Sequence, residues 1–323
     1  MKKVTRYDIP RRPRRDTVYV ILPKKFSKRY YRKRTDRNIG WITDDEQMNI
    51  LHPSVVGIAG CGGMGGLLAA TLVRSGIGEV RIADNEVFDV SNLNRQFGAT
   101  QKTLGKSKAF ETARKLRRIT SDTTLVIYPK GICKESARDF VSGCDVVCDE
   151  IEFWALGARV LLHTAMRKAN GTILCTPTVG HSTFITRYTA DSMKVETLLE
   201  MTYKRAAALQ QKISTRTINK KDLAFVIKAA IRFAAPKIPE YSKDVTLFST
   251  VRSVMERLKT EFTASIIGTN PPMATGFLAN NVLFFLLKRS PIKRVFTDVP
   301  LMPGYRMFDA GLGIFETRKT KWW

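Results

Sequence analysis

The stretch Val55–Lys108 decides the fold of this chain. It opens with the apolar run VVGIA (Val55–Ala59), which passes directly into the glycine-rich turn GCGGMGG (Gly60–Gly66). A helical run follows, and a second apolar strand then ends on Asp84. A strand, a glycine turn, a helix and a strand with a carboxylate at its tip form the nucleotide-binding half of a Rossmann-like unit.

The glycine turn predicts a phosphate site. Because it has few side chains, its backbone N–H groups and the N-terminus of the following helix can approach phosphates closely. Asp84 stands 24 residues after Gly60, where a carboxylate accepts hydrogen bonds from ribose hydroxyls. Two alternatives stay open on these residues alone, namely a nicotinamide-dependent dehydrogenase and a tight turn that binds nothing.

A polar turn and a lysine indicate which reaction the nucleotide undergoes. The turn SNLNRQ (Ser91–Gln96) follows Asp84, and Lys108 opens the next predicted helix. A hydride-transfer enzyme needs no such cations beside the phosphates. Attack on the α-phosphorus of ATP does need them, because negative charge builds up on the phosphate oxygens and on the departing pyrophosphate. Arg95 and Lys108 therefore indicate that the nucleotide is split.

Two carboxylates indicate a metal site. Asp149 and Glu152 come at and just after the end of the predicted fourth strand. Carboxylates at the carboxyl edge of a parallel sheet can hold Mg²⁺ beside phosphates. Acidic side chains also favour helix N-termini, so a solvated helix start is the alternative interpretation of this pair.

Strands and helices alternate up to about residue 194, which predicts an α/β fold with a Rossmann-like, doubly wound, mostly parallel sheet. Thr43 and Glu46 have the capping-box spacing, which predicts a helix before the first core strand. After residue 194 the pattern changes to successive helices, an inserted helical lobe. We divide the chain into a basic N-terminal arm (1–40), a nucleotide-binding core (41–194), a helical insertion (195–262) and a C-terminal part of the core (263–323).

The chain carries a large positive charge. Its formal net charge is +25, and the first 37 residues hold fifteen Lys or Arg against three Asp. This balance favours polyanionic partners such as nucleic acid, although a solvated basic surface has the same composition. Within the arm, the apolar run Val18–Leu22 predicts an edge strand.

The cysteines and the hydropathy pattern bear on location. The five cysteines form no CxxC pair, which argues against a structural zinc site and favours reduced thiols. We see no apolar signal core and no run long enough to span a membrane, so we expect a cytoplasmic protein with no membrane partner.

Three motifs together resemble a known family. GCGGMGG, ADNEVFDVSNLNRQ (Ala83–Gln96) and GKSK (Gly105–Lys108) are similar to motifs of the ThiF/MoeB/HesA adenylyltransferases, the bacterial relatives of ubiquitin-activating enzymes. The resemblance covers about 34–189 and returns at 268–288, but it omits the basic arm and the helical lobe. It implies an enzyme that uses ATP and Mg²⁺, adenylates a carboxylate and releases pyrophosphate. The carboxylate would be the C-terminus of a ubiquitin-like or sulfur-carrier protein.

The resemblance also implies which residues build the site. By role these are Gly60, Gly62, Gly63 and Gly65 for the phosphate loop, Asp84 for the ribose, Asn92 and Arg95 for the phosphates, and Lys108 for the α-phosphate. Arg37 matches an arginine that family members insert into the site of the partner subunit, which implies a homodimer with Arg37 supplied in trans. The magnesium ligand of the family is normally an aspartate. Here that position is Glu152, with Asp149 three residues earlier.

Departures from the family limit the substrate. No cysteine follows Cys175 and the CxxC zinc site is missing, so we do not expect a thioester relay. The tRNA threonylcarbamoyladenosine dehydratases are a branch of this family that needs no such relay, and a charge of +25 would suit a tRNA substrate. That branch is one alternative function. A nucleotide-binding interaction module without catalysis is the other.

Overall fold

The computed structural model describes residues 1–24, 26–234, 256–261 and 264–320. Its strands are β1 Lys2–Arg6, β2 Thr17–Ile21, β3 Val55–Ala59, β4 Glu79–Ala83, β5 Thr124–Tyr128, β6 Val146–Asp149, β7 Ile173–Cys175, β8 Thr178–Val179, β9 Ser182–Tyr188, β10 Gly304–Asp309 and β11 Ile314–Lys319. Its helices are α1 Lys28–Thr35, α2 Asp44–Glu46, α3 Gly65–Ser75, α4 Lys108–Ile119, α5 Ala137–Val141, α6 Leu156–Lys168, α7 Val195–Leu199, α8 Tyr203–Ser214, α9 Lys220–Ala234 and α10 Asn270–Leu287. Part of the predicted helical insertion, 235–255 and 262, lies outside the described residues.

The strands form one mixed sheet in the order β1-β2-β5-β4-β3-β6-β7-β9-β10-β11, and β8 pairs with β9. The five central strands, β5 to β7 in this order, are all parallel. Strands β2, β9, β10 and β11 run antiparallel to their inner neighbours. This architecture confirms the Rossmann-like α/β fold. It also brings the carboxyl ends of β3, β4, β5, β6 and β7 to one edge, where such sheets bind ligands.

Helices cover both faces of the sheet. One face packs against α3, α4 and α10 through residues such as Leu68, Phe110 and Leu278. The opposite face packs against α5, α6, α8 and α9 through residues such as Phe140 and Leu162. The sheet is therefore doubly wound. Among the helices of the described ranges, none combines the length and the apolar character needed to cross a membrane.

The predicted basic arm contributes two strands to the sheet. Strand β2, which overlaps the predicted strand Val18–Leu22, pairs with β5, and β1 pairs with β2 on its outer side. Tyr31 of α1 is fully buried, and its hydroxyl donates a hydrogen bond to the carbonyl oxygen of Gly76 at 2.7 Å. The arm is therefore packed onto the core. The division of the chain into four segments remains a prediction.

Candidate active site

The glycine turn is held in a shape that requires glycine. Gly60 follows β3 with a φ of +105°, and a Cβ there would lie 2.0 Å from the carbonyl oxygen of Glu150. A Cβ on Gly65 would lie 1.9 Å from the carbonyl oxygen of Gly60. At Gly62, by contrast, the nearest atom to such a Cβ is the Nε2 of Gln96, at 3.8 Å. The turn therefore leads directly from β3 into α3, and its front leaves room for phosphates.

Asp84 ties the glycine turn to the end of β4. Its Oδ2 accepts a hydrogen bond from the Cys61 N–H at 2.7 Å, and its Oδ1 accepts one from the Glu86 N–H at 2.8 Å. Burial raises the pKa of the Asp84 carboxyl to about 6, although the Lys108 ammonium offsets part of this effect. The carboxylate lies beside the turn, as the role of ribose ligand requires.

The polar turn after β4 lies against the glycine turn. The carbonyl oxygen of Arg95 is 3.6 Å from the position of a Cβ on Gly63. The Arg95 guanidinium donates hydrogen bonds to the Ser91 carbonyl and to the Asn94 Oδ1, both at 2.9 Å, and pairs with no carboxylate in the described part of the chain. Asn92 is buried and accepts a hydrogen bond from the Asp89 N–H, so its side chain shapes the turn.

Lys108 places a buried ammonium at the same edge. Its side chain is 5% exposed, and its Nζ donates a hydrogen bond to the Glu86 Oε2 at 2.6 Å. The backbone N–H of Lys108 also donates to the carbonyl oxygen of Glu86, which holds the start of α4 beside the end of β4. The fold thus brings Lys108 next to Asp84, from which it is 24 residues distant in sequence.

Asp149 is engaged inside the protein. Its Oδ2 accepts a hydrogen bond from the Arg159 Nε at 2.9 Å and lies 2.9 Å from the His163 Nε2. Its Oδ1 accepts one from the Ile151 N–H. Burial alone would raise the pKa of Asp149, but Arg159 and His163 outweigh it and hold that pKa below its usual range. Both carboxylate oxygens are therefore already used.

Glu152 follows the end of β6 and is exposed, unlike the buried Asp149. The protein around it, together with the nearby Glu86 carboxylate, raises the pKa of Glu152. No cluster of three or more His, Cys, Asp or Glu side chains suitable for a metal occurs among the described residues. The assignment of Mg²⁺ to Glu152 and Asp149 stays a prediction, and the geometry favours Glu152.

Four further polar groups near this edge of the sheet were not predicted from the sequence. The Glu150 Oε1, the Thr176 Oγ1, the Thr183 Oγ1 and the Asn270 Oδ1 are buried without a hydrogen-bond partner. Asn270 begins α10, and its Nδ2 donates a hydrogen bond to the Gly180 carbonyl oxygen at 2.7 Å. Only Asn270 could have been found from the sequence, because it lies in the segment 268–288, where the resemblance to the family returns.

The alternation of strand residues shows that these groups share one face. Cys148, Leu174 and Ile185 belong to the core between the sheet and α10. Residues two positions apart on a strand share a face, so Glu150, Thr176 and Thr183 extend that face to the carboxyl edge. Pro271, after Asn270, reaches within 3.1 Å of the position of a Cβ on Gly63. The polar groups therefore lie buried between the carboxyl edge of the sheet and the start of α10, beside the glycine turn.

Arg37 lies far from the glycine turn in its own chain. It is exposed in a 3₁₀ turn, and the neighbouring Asn38 donates a hydrogen bond to the carbonyl oxygen of Ser75, the last residue of α3. The glycine turn is at the opposite end of α3, which at eleven residues is about 16 Å long. The Arg37 side chain therefore belongs to a different end of the molecule from Lys108.

Cys175 has the character of a structural thiol. It is 2% exposed at the end of β7, and its Sγ lies 3.5 Å from the carbonyl oxygen of Asp149. Burial raises the pKa of this thiol well above its usual value. Because the thiolate is the nucleophilic form, Cys175 is poorly suited to carry an acyl group.

Known proteins resemble the chain in sequence. The ThiF family model matches residues 35–319. The mouse (Mus musculus) adenylyltransferase and sulfurtransferase MOCS3 is 39% identical over 99 residues, 31% of this chain and 22% of the mouse protein. A tRNA threonylcarbamoyladenosine dehydratase of Haemophilus influenzae is 29% identical over 133 residues, 41% of this chain and 51% of that protein. The chain thus spans only part of either relative.

A solved structure has the same fold. The crystal structure of E. coli MccB with ATP matches with a TM-score of 0.59 at 16% identity, over 93% of this chain and 74% of that one. Similarity at this identity concerns the fold alone. The family model, in contrast, extends from α1 to β11 and includes the glycine turn, Asp84, Arg95 and Lys108. The chain therefore belongs to the ThiF family.

Proposed function

We propose that the chain is an ATP-dependent adenylyltransferase, which activates a carboxylate as an acyl-adenylate and releases pyrophosphate. The observation that carries this proposal is the pair of cations beside the glycine turn. The buried ammonium of Lys108 contacts only Glu86 among the acidic side chains described, and Arg95 has no carboxylate partner there. A polyphosphate bound at the glycine turn is a ligand that both cations could contact.

The chain's own residues would perform three tasks. The glycine turn and the N-terminus of α3 would bind phosphate oxygens through backbone N–H groups, and Asp84 would accept hydrogen bonds from the ribose. Lys108 and Arg95 would stabilise the charge that develops as the substrate carboxylate attacks the α-phosphorus and the bond to pyrophosphate breaks. No general base is needed, because a carboxylate is already ionised at neutral pH.

The residues present fit a magnesium ion at Glu152. The surrounding protein and the Glu86 carboxylate raise the pKa of this exposed side chain, and a cation beside it would relieve the repulsion between the two carboxylates. Magnesium is commonly held by one or two carboxylates together with substrate phosphates, and there it neutralises phosphate charge. Asp149, whose oxygens already bind Arg159, His163 and the Ile151 N–H, would act behind Glu152 by fixing the loop.

The substrate carboxylate would be the C-terminus of a ubiquitin-like or sulfur-carrier protein, taken up without a thioester relay. The buried polar groups near the start of α10 support this, because the Thr176, Thr183 and Asn270 oxygens have no hydrogen-bond partner in the described chain and a peptide backbone could supply one. The buried Cys175 supports the absence of a relay.

A homodimer would complete the site with Arg37 supplied in trans. The exposed Arg37 lies at the far end of α3 from its own glycine turn. A partner subunit could bring it to the phosphates, whereas its own chain could not. The five free cysteines support a cytoplasmic location, where thiols stay reduced.

The net charge of +25 favours a second candidate, an enzyme of the tRNA threonylcarbamoyladenosine dehydratase type that activates a carboxylate on tRNA. Salt-sensitive tRNA binding together with tRNA-dependent ATP consumption would support this candidate. Equal ATP consumption with and without tRNA would remove it.

The position of ATP cleavage tests the proposed reaction. ATP labelled at both the α- and the γ-phosphate is incubated with the chain, Mg²⁺ and, in turn, candidate carrier proteins, short peptides and bulk tRNA. We expect AMP, or an AMP adduct, together with pyrophosphate. Formation of ADP and inorganic phosphate instead would contradict an attack at the α-phosphorus.

A further inference from the structure

The loop between β1 and β2, residues 7–16, is fixed over α4. The Arg114 guanidinium donates a hydrogen bond to the Pro10 carbonyl oxygen at 3.2 Å. The Arg14 N–H donates one to the hydroxyl of Tyr19 at 2.9 Å, and the Tyr19 ring packs edge-on against Phe110 with centroids 5.6 Å apart. Because β2 runs antiparallel to β5, this loop ends at the carboxyl edge of the parallel strands.

There Arg15 meets the end of β4. Its Nη2 donates a hydrogen bond to the main-chain carbonyl oxygen of Asn85 at 3.3 Å. Asn85 directly follows Asp84, and on its other side Gly131, just after β5, comes so close that a Cβ there would lie 3.4 Å from the Asn85 nitrogen. In a doubly wound sheet the ribose lies at the tip of the second strand, and the base lies beyond it along the same edge. Arg15, Asn85 and Gly131 therefore surround the base end of the nucleotide site.

The chemistry of Arg15 suits this place. A guanidinium is planar and weakly hydrated, so it stacks on aromatic rings, and a purine offers such a ring. Arg15 forms no ion pair within the described ranges, whereas the adjacent Arg14 is paired with Asp16 at 3.4 Å. Of these two neighbouring arginines, therefore, only Arg15 has a guanidinium that is not held by a carboxylate of the described chain and can contact a ligand.

We infer that Arg15 packs its guanidinium against the nucleotide base and so makes the basic arm a part of the nucleotide site. The inference rests on the proposed function, because it requires that the site binds ATP. It goes beyond the family, since the family model begins at residue 35 and does not contain Arg15.

Calorimetric titration of the full chain with ATP, ADP and AMP tests the inference. The variants are Arg15→Ala and, as a matched control that removes the same charge one residue away, Arg14→Ala. We expect Arg15→Ala to weaken binding about tenfold, as the loss of a partly desolvated cation–π contact would. The factor should be the same for all three nucleotides, because the contact is made to the base. Arg14→Ala should bind like the unaltered chain.

The outcomes separate the two claims. If the unaltered chain binds ATP and Arg15→Ala binds it equally well, the role of Arg15 is overturned and the proposed function stands. A loss that shrinks from ATP to AMP would also overturn it, since Arg15 would then contact phosphates. If the unaltered chain fails to bind ATP, the proposed function itself is wrong. As a control, both variants should unfold thermally at the same temperature as the unaltered chain, which would show that they remain folded.

Discussion

Single residues of the site depend on burial for their protonation. Asp84 lies inside the protein at the tip of β4, and burial raises the pKa of its carboxyl to about 6 although Lys108 lies nearby. An ionised carboxylate in such a place is stabilised by every hydrogen bond it accepts. The backbone N–H groups of Cys61 and Glu86 supply two of these bonds, and ribose hydroxyls would add others.

ATP affinity should therefore depend on pH in a direction set by Asp84. Protonation removes the charge and turns one of the two oxygens into an O–H donor, so it weakens the hydrogen bonds that the carboxylate accepts from the ribose. We expect the dissociation constant of ATP to rise as the pH falls through 6, by up to about tenfold per pH unit, and to stay constant above pH 7. Titrations from pH 5 to pH 8 measure this. In Asp84→Asn, binding should be weak at every pH, and an unchanged pH profile in that variant would contradict the assignment.

At the scale of elements, the glycine turn and α10 show two different uses of glycine. A side chain on Gly65 would collide with the Gly60 carbonyl oxygen, whereas a side chain on Gly276, inside α10, would meet no atom within 4 Å. The first glycine permits a close approach of backbones. The second only lowers the helix propensity of α10.

Matched substitutions to alanine should therefore have opposite effects. We expect Gly65→Ala to lower the free energy of unfolding by about 3 kcal/mol or more and to abolish ATP binding, because the turn must move. Gly276→Ala should raise the free energy of unfolding by roughly 0.5–1 kcal/mol and leave ATP binding unchanged. Urea unfolding monitored by circular dichroism measures both. Equal effects of the two substitutions would refute this account of the turn.

Helix α9, which belongs to the predicted helical insertion, supports the loop that carries the acidic residues. Arg159 of α6 donates hydrogen bonds to Asp149 and to the carbonyl oxygen of Ile151, and its guanidinium lies over the Phe233 ring of α9 at 4.1 Å. The loop from Asp149 to Glu152 is thus braced from the insertion. A second arginine–phenylalanine pair, Arg205 of α8 with Phe225 of α9 at 4.0 Å, packs against the same helix α9 but from α8.

These two pairs allow a controlled test of the brace. Phe233→Leu keeps an apolar side chain but removes the cation–π contact, which we expect to lower the free energy of unfolding by about 1–2 kcal/mol. If Glu152 holds the metal, the Mg²⁺ concentration for half-maximal ATP binding should also rise, and Phe233→Tyr should restore it. Phe225→Leu should leave the Mg²⁺ dependence unchanged. A change of equal size in Phe225→Leu would show that only general stability is involved.

Local patterns predicted the elements well, and tertiary pairing produced what they missed. The capping box of Thr43 and Glu46 and the glycine turn are present, because each depends on residues close in sequence. Strand β1, KKVTR, has no apolar alternation and exists because β2 offers it a partner. The unpaired groups of Thr183 and Asn270 reach the carboxyl edge of the sheet only after β9 and α10 have packed.

Tertiary packing also explains why the two predicted metal ligands, Asp149 and Glu152, differ in the structure. From the sequence Asp149 and Glu152 are equivalent acids at the end of a strand. In the fold Arg159 and His163, one turn apart on α6, both turn toward Asp149 and occupy it. Their i, i+4 spacing is visible in the sequence, but their direction depends on how α6 packs on the sheet.

On the scale of the whole molecule, the proposed role of Arg37 needs a second subunit, because its own chain holds Arg37 far from the glycine turn. Arg37 lies at one end of α3 and the phosphate loop at the other. In a symmetric dimer, each subunit could give its Arg37 to the site of the other. Each site would then combine Lys108 of one chain with Arg37 of the other.

Mixing two inactive variants tests this arrangement. We expect Arg37→Ala and Lys108→Ala to be inactive alone, and their mixture, after subunit exchange, to recover up to about a quarter of the unaltered activity. Half of the randomly formed dimers would then be mixed, and one site in each would keep both residues. ATP consumption with an active acceptor measures the recovery. No recovery despite proven subunit exchange would place Arg37 outside the partner's site.

Exchange of labelled pyrophosphate into ATP tests the central claim most directly, since only a reversible attack at the α-phosphorus causes it. The chain is assayed with Mg²⁺ and each acceptor class, together with Lys108→Ala and its exposed neighbour control Lys106→Ala. We predict acceptor-dependent exchange that Lys108→Ala lowers about 100-fold or more and Lys106→Ala leaves intact. Full exchange by Lys108→Ala, or ATP turnover without any exchange, would contradict the account.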